Sequence, residues 1–115
     1  MKRFLKGFTY AFNGWVYVFK TQLNFKFHCL AGVLVIALGL YVDLSVEEWI
    51  WITAAIALVM VVELINTALE VLVDLVSPQI QAKAGRVKDI AAGSVLMAAL
   101  MALVIGLFIF VPKFL

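Results

Sequence analysis

Residues 49–74 read WIWITAAIALVMVVELINTALEVLVD, and this stretch decides the fold. Its first fourteen residues carry no charge, whereas its last twelve include five polar side chains. On a helix, in which successive residues are rotated by 100°, all five side chains share one face about 100° wide. They are Glu63, Asn66, Thr67, Glu70 and Asp74. The stretch therefore predicts a membrane-spanning helix with a polar face at its carboxyl end.

The three acids on this face indicate a function. An ionisable side chain near the centre of a bilayer costs roughly 2.5 kcal/mol or more, so it defaults to a functional hypothesis. Neighbouring carboxylates also repel one another unless a cation or a proton intervenes. The pattern predicts a site for a metal ion, a proton or both.

The composition indicates an all-α integral membrane protein. The chain has 115 residues, of which 66% are hydrophobic and 14% charged, with a mean hydropathy of +1.13. Soluble proteins average about 25% charged residues. The net charge of +2 is too small to indicate a nucleic-acid partner. We predict one domain over residues 1–115, too small to enclose a substrate site alone, so that an oligomer is expected.

Three apolar stretches predict three transmembrane helices, at residues 27–42, 49–73 and 90–111. The third contains many small residues, which let membrane helices approach closely, so it is predicted to be a packing helix. Ser45 and Glu48, in the acidic link before the second stretch, form a potential capping box. Pro78 is expected to end the second helix, and residues 77–89 to link it to the third.

The charges of the links predict the orientation. The first 26 residues carry five basic side chains and no acid, and residues 77–89 contain Lys83, Arg86 and Lys88. By the positive-inside rule, both segments face the cytoplasm. We expect a multi-pass protein of the bacterial inner membrane with a cytoplasmic N-terminus.

Residues 1–25 are predicted to form an amphipathic helix that lies in the membrane interface. Their apolar side chains cover one arc of a helix, and basic and polar side chains cover the rest. This helix could serve as a surface anchor alone. Alternatively, Arg3 and Tyr10, seven residues apart on its polar side, also help to hold a bound anion.

The residues alone support two functions. Phosphoryl transfer needs a divalent ion held by carboxylates, cations on the phosphates and a group that deprotonates the acceptor. Glu70 suits a Mg²⁺ ligand, and Lys88 suits a phosphate. Glu63, about 10 Å deeper in the membrane than Glu70, suits a general base for a lipid hydroxyl. A small proton- or cation-coupled transporter with Glu63 as its relay is equally compatible.

Two segments resemble a known family. They are ELINTALE at residues 63–70, followed by Val73 and Asp74, and AGRVKDIAAGSV at residues 84–95. Both are similar to the prokaryotic diacylglycerol kinase family, which includes undecaprenol kinases. The resemblance implies a homotrimer with active sites shared between subunits. It also implies an ATP- and Mg²⁺-dependent kinase for the hydroxyl of a membrane lipid, undecaprenol or diacylglycerol.

The resemblance also implies roles for individual residues. Glu63 matches the catalytic base and Asn66 the asparagine beside it. Glu70 matches a metal ligand, and Lys88 and Asp89 match the lysine and aspartate of the nucleotide site. Arg3 and Tyr10 match N-terminal contacts to nucleotide and lipid.

The chain departs from the family pattern in two places. Gln22 stands where the family usually has a second metal-binding glutamate, and its amide oxygen can ligate Mg²⁺ without adding charge. Gln79 and Gln81 replace a Glu-x-His pair in the nucleotide loop, where we expect them to contact the nucleotide. His28 lies in an Asn-Phe-x-x-His segment that resembles undecaprenol-type members. We interpret it as an interfacial residue rather than a catalytic one.

Overall fold

The computed structural model describes all residues, 1–115, as four helices. They are α1 (Lys2–Thr21), α2 (Leu23–Val42), α3 (Val46–Val76) and α4 (Ala82–Phe114). The last three are long and apolar enough to cross a membrane. The prediction of an all-α protein with three helices of this kind is confirmed.

Helices α2, α3 and α4 extend beyond their predicted spans, and the differences are largest around Gln22 and at the start of α4. The N-terminal helix ends at Thr21 rather than near residue 25, because Gln22 adopts an extended conformation and α2 begins directly after it. The link after α3 is also shorter than the predicted link of residues 77–89. Lys83, Arg86 and Lys88 lie on the first two turns of α4, which starts at Ala82. Hydropathy marks only the apolar part of a helix, whereas the alanine and lysine residues here are good helix formers and extend it.

Contacts at both ends show that α2 and α3 are antiparallel. His28, near the start of α2, lies beside Glu63 in the second half of α3. Gly39, near the end of α2, faces the Trp49 ring at the start of α3. The turn between them is closed by Asp43, whose backbone is left-handed with φ 58°.

The predicted capping box at the start of α3 is confirmed. The Ser45 hydroxyl accepts a hydrogen bond of 3.2 Å from the Glu48 amide, and the Ser45 amide donates one of 2.9 Å to the Glu48 carboxylate. Glu48 also forms an ion pair of 3.0 Å with Lys113, near the end of α4. This contact ties the last turn of α4 to the first turn of α3, so these two helices are also antiparallel.

The core is formed mainly where α4 packs along α3. The buried residues of α3 recur at every third or fourth position and so lie on one face; they are Ile52, Ala55, Val59, Glu63 and Thr67. On α4 the buried residues are Ala91 and Ala98, seven positions apart and therefore also on one face. The small side chains of α4 allow this close packing, as predicted.

The single chain is flat and open. Its radius of gyration is 17.1 Å and its extents are 52 × 42 × 20 Å. A compact domain of this length would have a radius of gyration of about 13 Å. Only 12 of the 115 residues are buried. Most apolar side chains are thus left for lipid or for other protein surfaces to cover.

Candidate active site

Glu63 continues the buried face of α3 as its one charged member. The residue is 2% exposed, and Thr67, equally buried, donates a hydrogen bond of 3.0 Å to its backbone carbonyl oxygen. The predicted polar face of α3 therefore faces the other helices at the level of Glu63. Further along α3, Glu70 is half-buried and Asp74 is exposed.

His28 is the nearest charged or titratable neighbour of Glu63. Its Nε2 lies 3.2 Å from Glu63 Oε1, and the two side chains are 21% and 3% exposed. The two atoms are not aligned as a hydrogen bond, so Glu63 Oε1 is a buried oxygen without a hydrogen-bond donor. The sequence led us to interpret His28 as an interfacial residue. The contact with Glu63, 35 positions away, depends on how α2 packs on α3, which no local pattern specifies.

Asn66 and Glu70 form a second polar pair, one turn closer to the end of α3. Asn66 Nδ2 donates a hydrogen bond of 3.2 Å to Glu70 Oε1. Asn66 Oδ1, like Glu63 Oε1, is buried without a hydrogen-bond partner. Buried polar atoms are usually satisfied, so two unpartnered oxygens on one face indicate a site for a donor or a cation.

The side-chain oxygens of Asn66 and Glu70 are of the kind that Mg²⁺ binds. Glu70 and Asn66 supply hard oxygen donors, but no group of three or more His, Cys, Asp or Glu side chains is placed to hold an ion. Mg²⁺ commonly uses one or two carboxylates and completes its shell with water and phosphate oxygens. Gln22 is half-buried at the junction of α1 and α2 and forms no hydrogen bond with Glu70.

Lys88 is held by Asp74. Its Nζ lies 2.5 Å from Asp74 Oδ1, and the two side chains are 40% and 65% exposed. Asp74 lies eleven residues beyond Glu63, or about 16 Å along a helix. Within one subunit, Lys88 therefore lies well away from Glu63. Asp89, the next residue on α4, is exposed.

The remaining predicted site residues lie on exposed surfaces. Arg3 and Tyr10 are exposed on α1, and Gln79 and Gln81 are exposed in the short link before α4. None of these side chains forms a hydrogen bond or an ion pair within the subunit. Their predicted nucleotide and lipid contacts stay predictions.

An apolar cavity of about 440 Å³ begins beside His28. It runs between α2 and α4 over the buried face of α3, toward the end of the subunit where α3 begins. Its walls are mostly small or aliphatic residues, among them Gly32, Val59, Ala99, Ala102 and Gly106. A cavity of this size and lining suits a hydrocarbon chain.

Comparison with known proteins identifies the class. The chain is similar to an undecaprenol kinase of Bacillus subtilis strain 168, with 40% identity over 98% of this chain and 92% of the relative. A diacylglycerol kinase of Synechocystis is 39% identical over 96% of this chain and 64% of the relative. A diacylglycerol kinase of Escherichia coli K12 is 26% identical over 89% of this chain and 84% of the relative. All three relatives are lipid kinases by name.

Residues 9–110 match the prokaryotic diacylglycerol kinase family. The chain belongs to this family and is thus an enzyme of the membrane lipid kinase class. The family resemblance predicted from residues 63–74 and 84–95 is confirmed. The alternative prediction of a small transporter that uses Glu63 as a relay finds no support in these relatives.

Proposed function

We propose that the protein transfers the γ-phosphoryl group of ATP to the hydroxyl of a membrane lipid, with Mg²⁺ as its cofactor. The observation that carries this proposal is the position of Glu63. Its buried, unpartnered carboxylate oxygen lies beside His28, which lines the apolar cavity. A lipid whose chain lies in that cavity would present its hydroxyl to the carboxylate.

Each polar group of the site then has a role. Glu63 accepts the proton of the lipid hydroxyl as the oxygen attacks the γ-phosphorus. Glu70, with Asn66 and Gln22, would hold Mg²⁺, which neutralises charge on the transferred phosphoryl group. Lys88, Asp89, Arg3 and Tyr10, with Gln79 and Gln81, would contact the nucleotide. Positioning and charge account for most of the catalysis in phosphoryl transfer.

We further propose a homotrimer whose sites are shared between subunits. Lys88 is bound to Asp74, about 16 Å from Glu63 along α3, so a nucleotide-binding lysine from a neighbouring subunit would serve Glu63 better. The open shape of the subunit supports this arrangement, because most apolar residues are exposed. The positive charges at the start of α1 and α4 favour an inner-membrane protein with both of these ends in the cytoplasm.

Undecaprenol is the proposed acceptor and diacylglycerol the alternative. The Asn-Phe-x-x-His segment at residues 24–28 and the match to an undecaprenol kinase over nearly both full lengths favour undecaprenol. A diacylglycerol kinase of nearly equal identity keeps the alternative open. The test is to incubate the purified protein in mixed micelles with labelled ATP, Mg²⁺ and either lipid. Label in undecaprenol supports the proposal, and label in neither lipid would contradict the kinase function.

A further inference from the structure

As a general base, Glu63 must release the proton that it accepts, and its burial hinders the transfer of that proton to water. The residue is 2% exposed, and its carboxylate lies among the packed helices. After each turnover it carries a proton that must leave before the next lipid is deprotonated. A carboxyl group with almost no contact with water needs a neighbouring group to take that proton.

His28 is placed to accept it. The Nε2 atom lies 3.2 Å from Glu63 Oε1, and the His28 side chain is 21% exposed, whereas that of Glu63 is 3% exposed. Its other ring nitrogen, Nδ1, forms no hydrogen bond within the subunit. Imidazole is the side chain that accepts and releases protons most readily near neutral pH. One side of the ring thus meets the buried base, and part of the remaining side chain is exposed on the surface of the single chain.

We propose that His28 relays the proton of Glu63 to water. This inference rests on the proposed function, in which Glu63 deprotonates the lipid. In the chemical step, the lipid oxygen loses its proton to Glu63 and forms a bond to the γ-phosphorus. The bond from that phosphorus to the bridging oxygen breaks, and its electron pair leaves with ADP. The proton then passes from Glu63 to His28 Nε2, while Nδ1 releases its own proton to water.

The surrounding charges are compatible with this role. Glu63 is the one charged side chain within ion-pair distance of His28. Other charged groups toward this end include Glu70 on α3, Lys26 on α2 and the Asp74–Lys88 pair between α3 and α4. Lys26 lies over the Phe19 ring, 5.7 Å from its centre, and is thereby directed toward α1. Within the chain, no other basic side chain lies within ion-pair distance of Glu63.

A merely structural role for His28 makes a different prediction. Glutamine can donate a hydrogen bond from its side-chain amide to Glu63, but it cannot accept a proton. If His28 only orients Glu63 or packs against it, His28→Gln retains wild-type turnover. If His28 relays the proton, His28→Gln lowers kcat roughly 10-fold or more, a smaller loss than that of a general acid or base in the chemical step itself. ATP affinity should stay unchanged in both cases.

Chemical rescue provides the second measurement. In His28→Ala, added imidazole should restore part of kcat, and it should have no effect on the wild type or on Glu63→Gln. Cys29→Ala is the matched control, because Cys29 is the next residue on α2 and also half-buried. It should retain wild-type turnover and show no response to imidazole.

The outcomes separate the relay from the kinase function itself. If the wild type labels no lipid, the proposed function fails first. If the wild type is active and Glu63→Gln is inactive, but His28→Gln has wild-type kcat, the relay alone is overturned. Failure of imidazole to activate a folded His28→Ala protein, checked by its circular dichroism, also overturns it.

Discussion

A buried carboxylate is an unfavourable residue at position 63 if stability alone is considered. Burying a charged group without a full set of partners costs several kcal/mol, and an apolar residue of similar size often stabilises a protein more. Ile52, Ala55 and Val59 occupy the same face of α3 and are fully apolar. Glu63 interrupts this pattern, and the two unpartnered oxygens at Glu63 and Asn66 lie where the pattern is interrupted. This cost to stability is consistent with the proposed role of Glu63 as a base.

The first prediction concerns Glu63→Gln. The amide retains the shape of the side chain but cannot accept the lipid proton, so kcat should fall by roughly 10²-fold or more. Nucleotide binding should persist, since the proposed nucleotide contacts lie on α1, on α4 and in the link before α4. Thermal unfolding in detergent should occur at the same or a higher temperature, because a buried charge is removed. Unaltered turnover of Glu63→Gln would show that another group is the base.

The second prediction concerns the metal ligands. Glu70→Gln removes a charged ligand and should raise the Mg²⁺ concentration needed for half-maximal activity. Gln22→Glu should lower that concentration, because ligand charge tunes the affinity of sites for hard cations. The measurement is a Mg²⁺ titration of both variants and the wild type in the same neutral detergent. An unchanged midpoint for Gln22→Glu would remove Gln22 from the metal site.

At the scale of helices, the sequence predicted the elements better than their contacts. The polar face of α3 and the capping box at Ser45 follow from spacing along one chain segment, so they could be predicted. The contacts of His28 with Glu63 and of Lys88 with Asp74 join residues on different helices, and they depend on the rotation and register of those helices. The break between α1 and α2 was predicted near residue 25 rather than at Gln22, because polar and apolar residues are mixed over residues 20–26.

The Lys88–Asp74 contact between α3 and α4 gives the third prediction. Asp74 forms an ion pair with Lys88, so in the proposed site it would compete with the phosphates for the same ammonium group. Asp74→Asn should therefore lower the KM for ATP several-fold, whereas Lys88→Met should raise it. Exposed ion pairs contribute little to stability, so the unfolding temperature should change little. A raised KM in Asp74→Asn would show instead that Asp74 positions Lys88 for the nucleotide.

The fourth prediction concerns the packing of α2 on α3. A Cβ atom at Gly39 would lie 2.6 Å from the Trp49 ring and 2.9 Å from Leu44. Overpacking costs about 1–3 kcal/mol, against a gain of about 1 kcal/mol from alanine in a helix. Gly39→Ala should thus lower the unfolding temperature in detergent. Gly32→Ala on the same helix is the control, since its Cβ would lie an ordinary 3.6 Å from Ile56. Equal unfolding temperatures for the two variants would contradict this packing.

At the scale of the whole molecule, the open subunit and its incomplete site point to the same conclusion. Few residues are buried, the proposed metal ligands lack a full set, and Lys88 lies far along the bundle from Glu63. In the proposed trimer, a neighbouring subunit would cover apolar surface. It would also supply a lysine close to Glu63. The proposed trimer with shared sites can be tested without a structure of the assembly.

The fifth prediction uses two inactive variants in one trimer. Glu63→Gln and Lys88→Met are expressed together with different affinity tags, and mixed trimers are isolated by purification on both tags. In a ring of three, every mixed trimer contains one junction at which intact Glu63 from one subunit meets intact Lys88 from its neighbour. If sites are shared in this way, mixed trimers should recover about one third of wild-type turnover, because one site in three is complete. Each variant purified alone, with both tags, is the control. Mixed trimers as inactive as these controls would show that Glu63 and Lys88 of one site come from the same subunit.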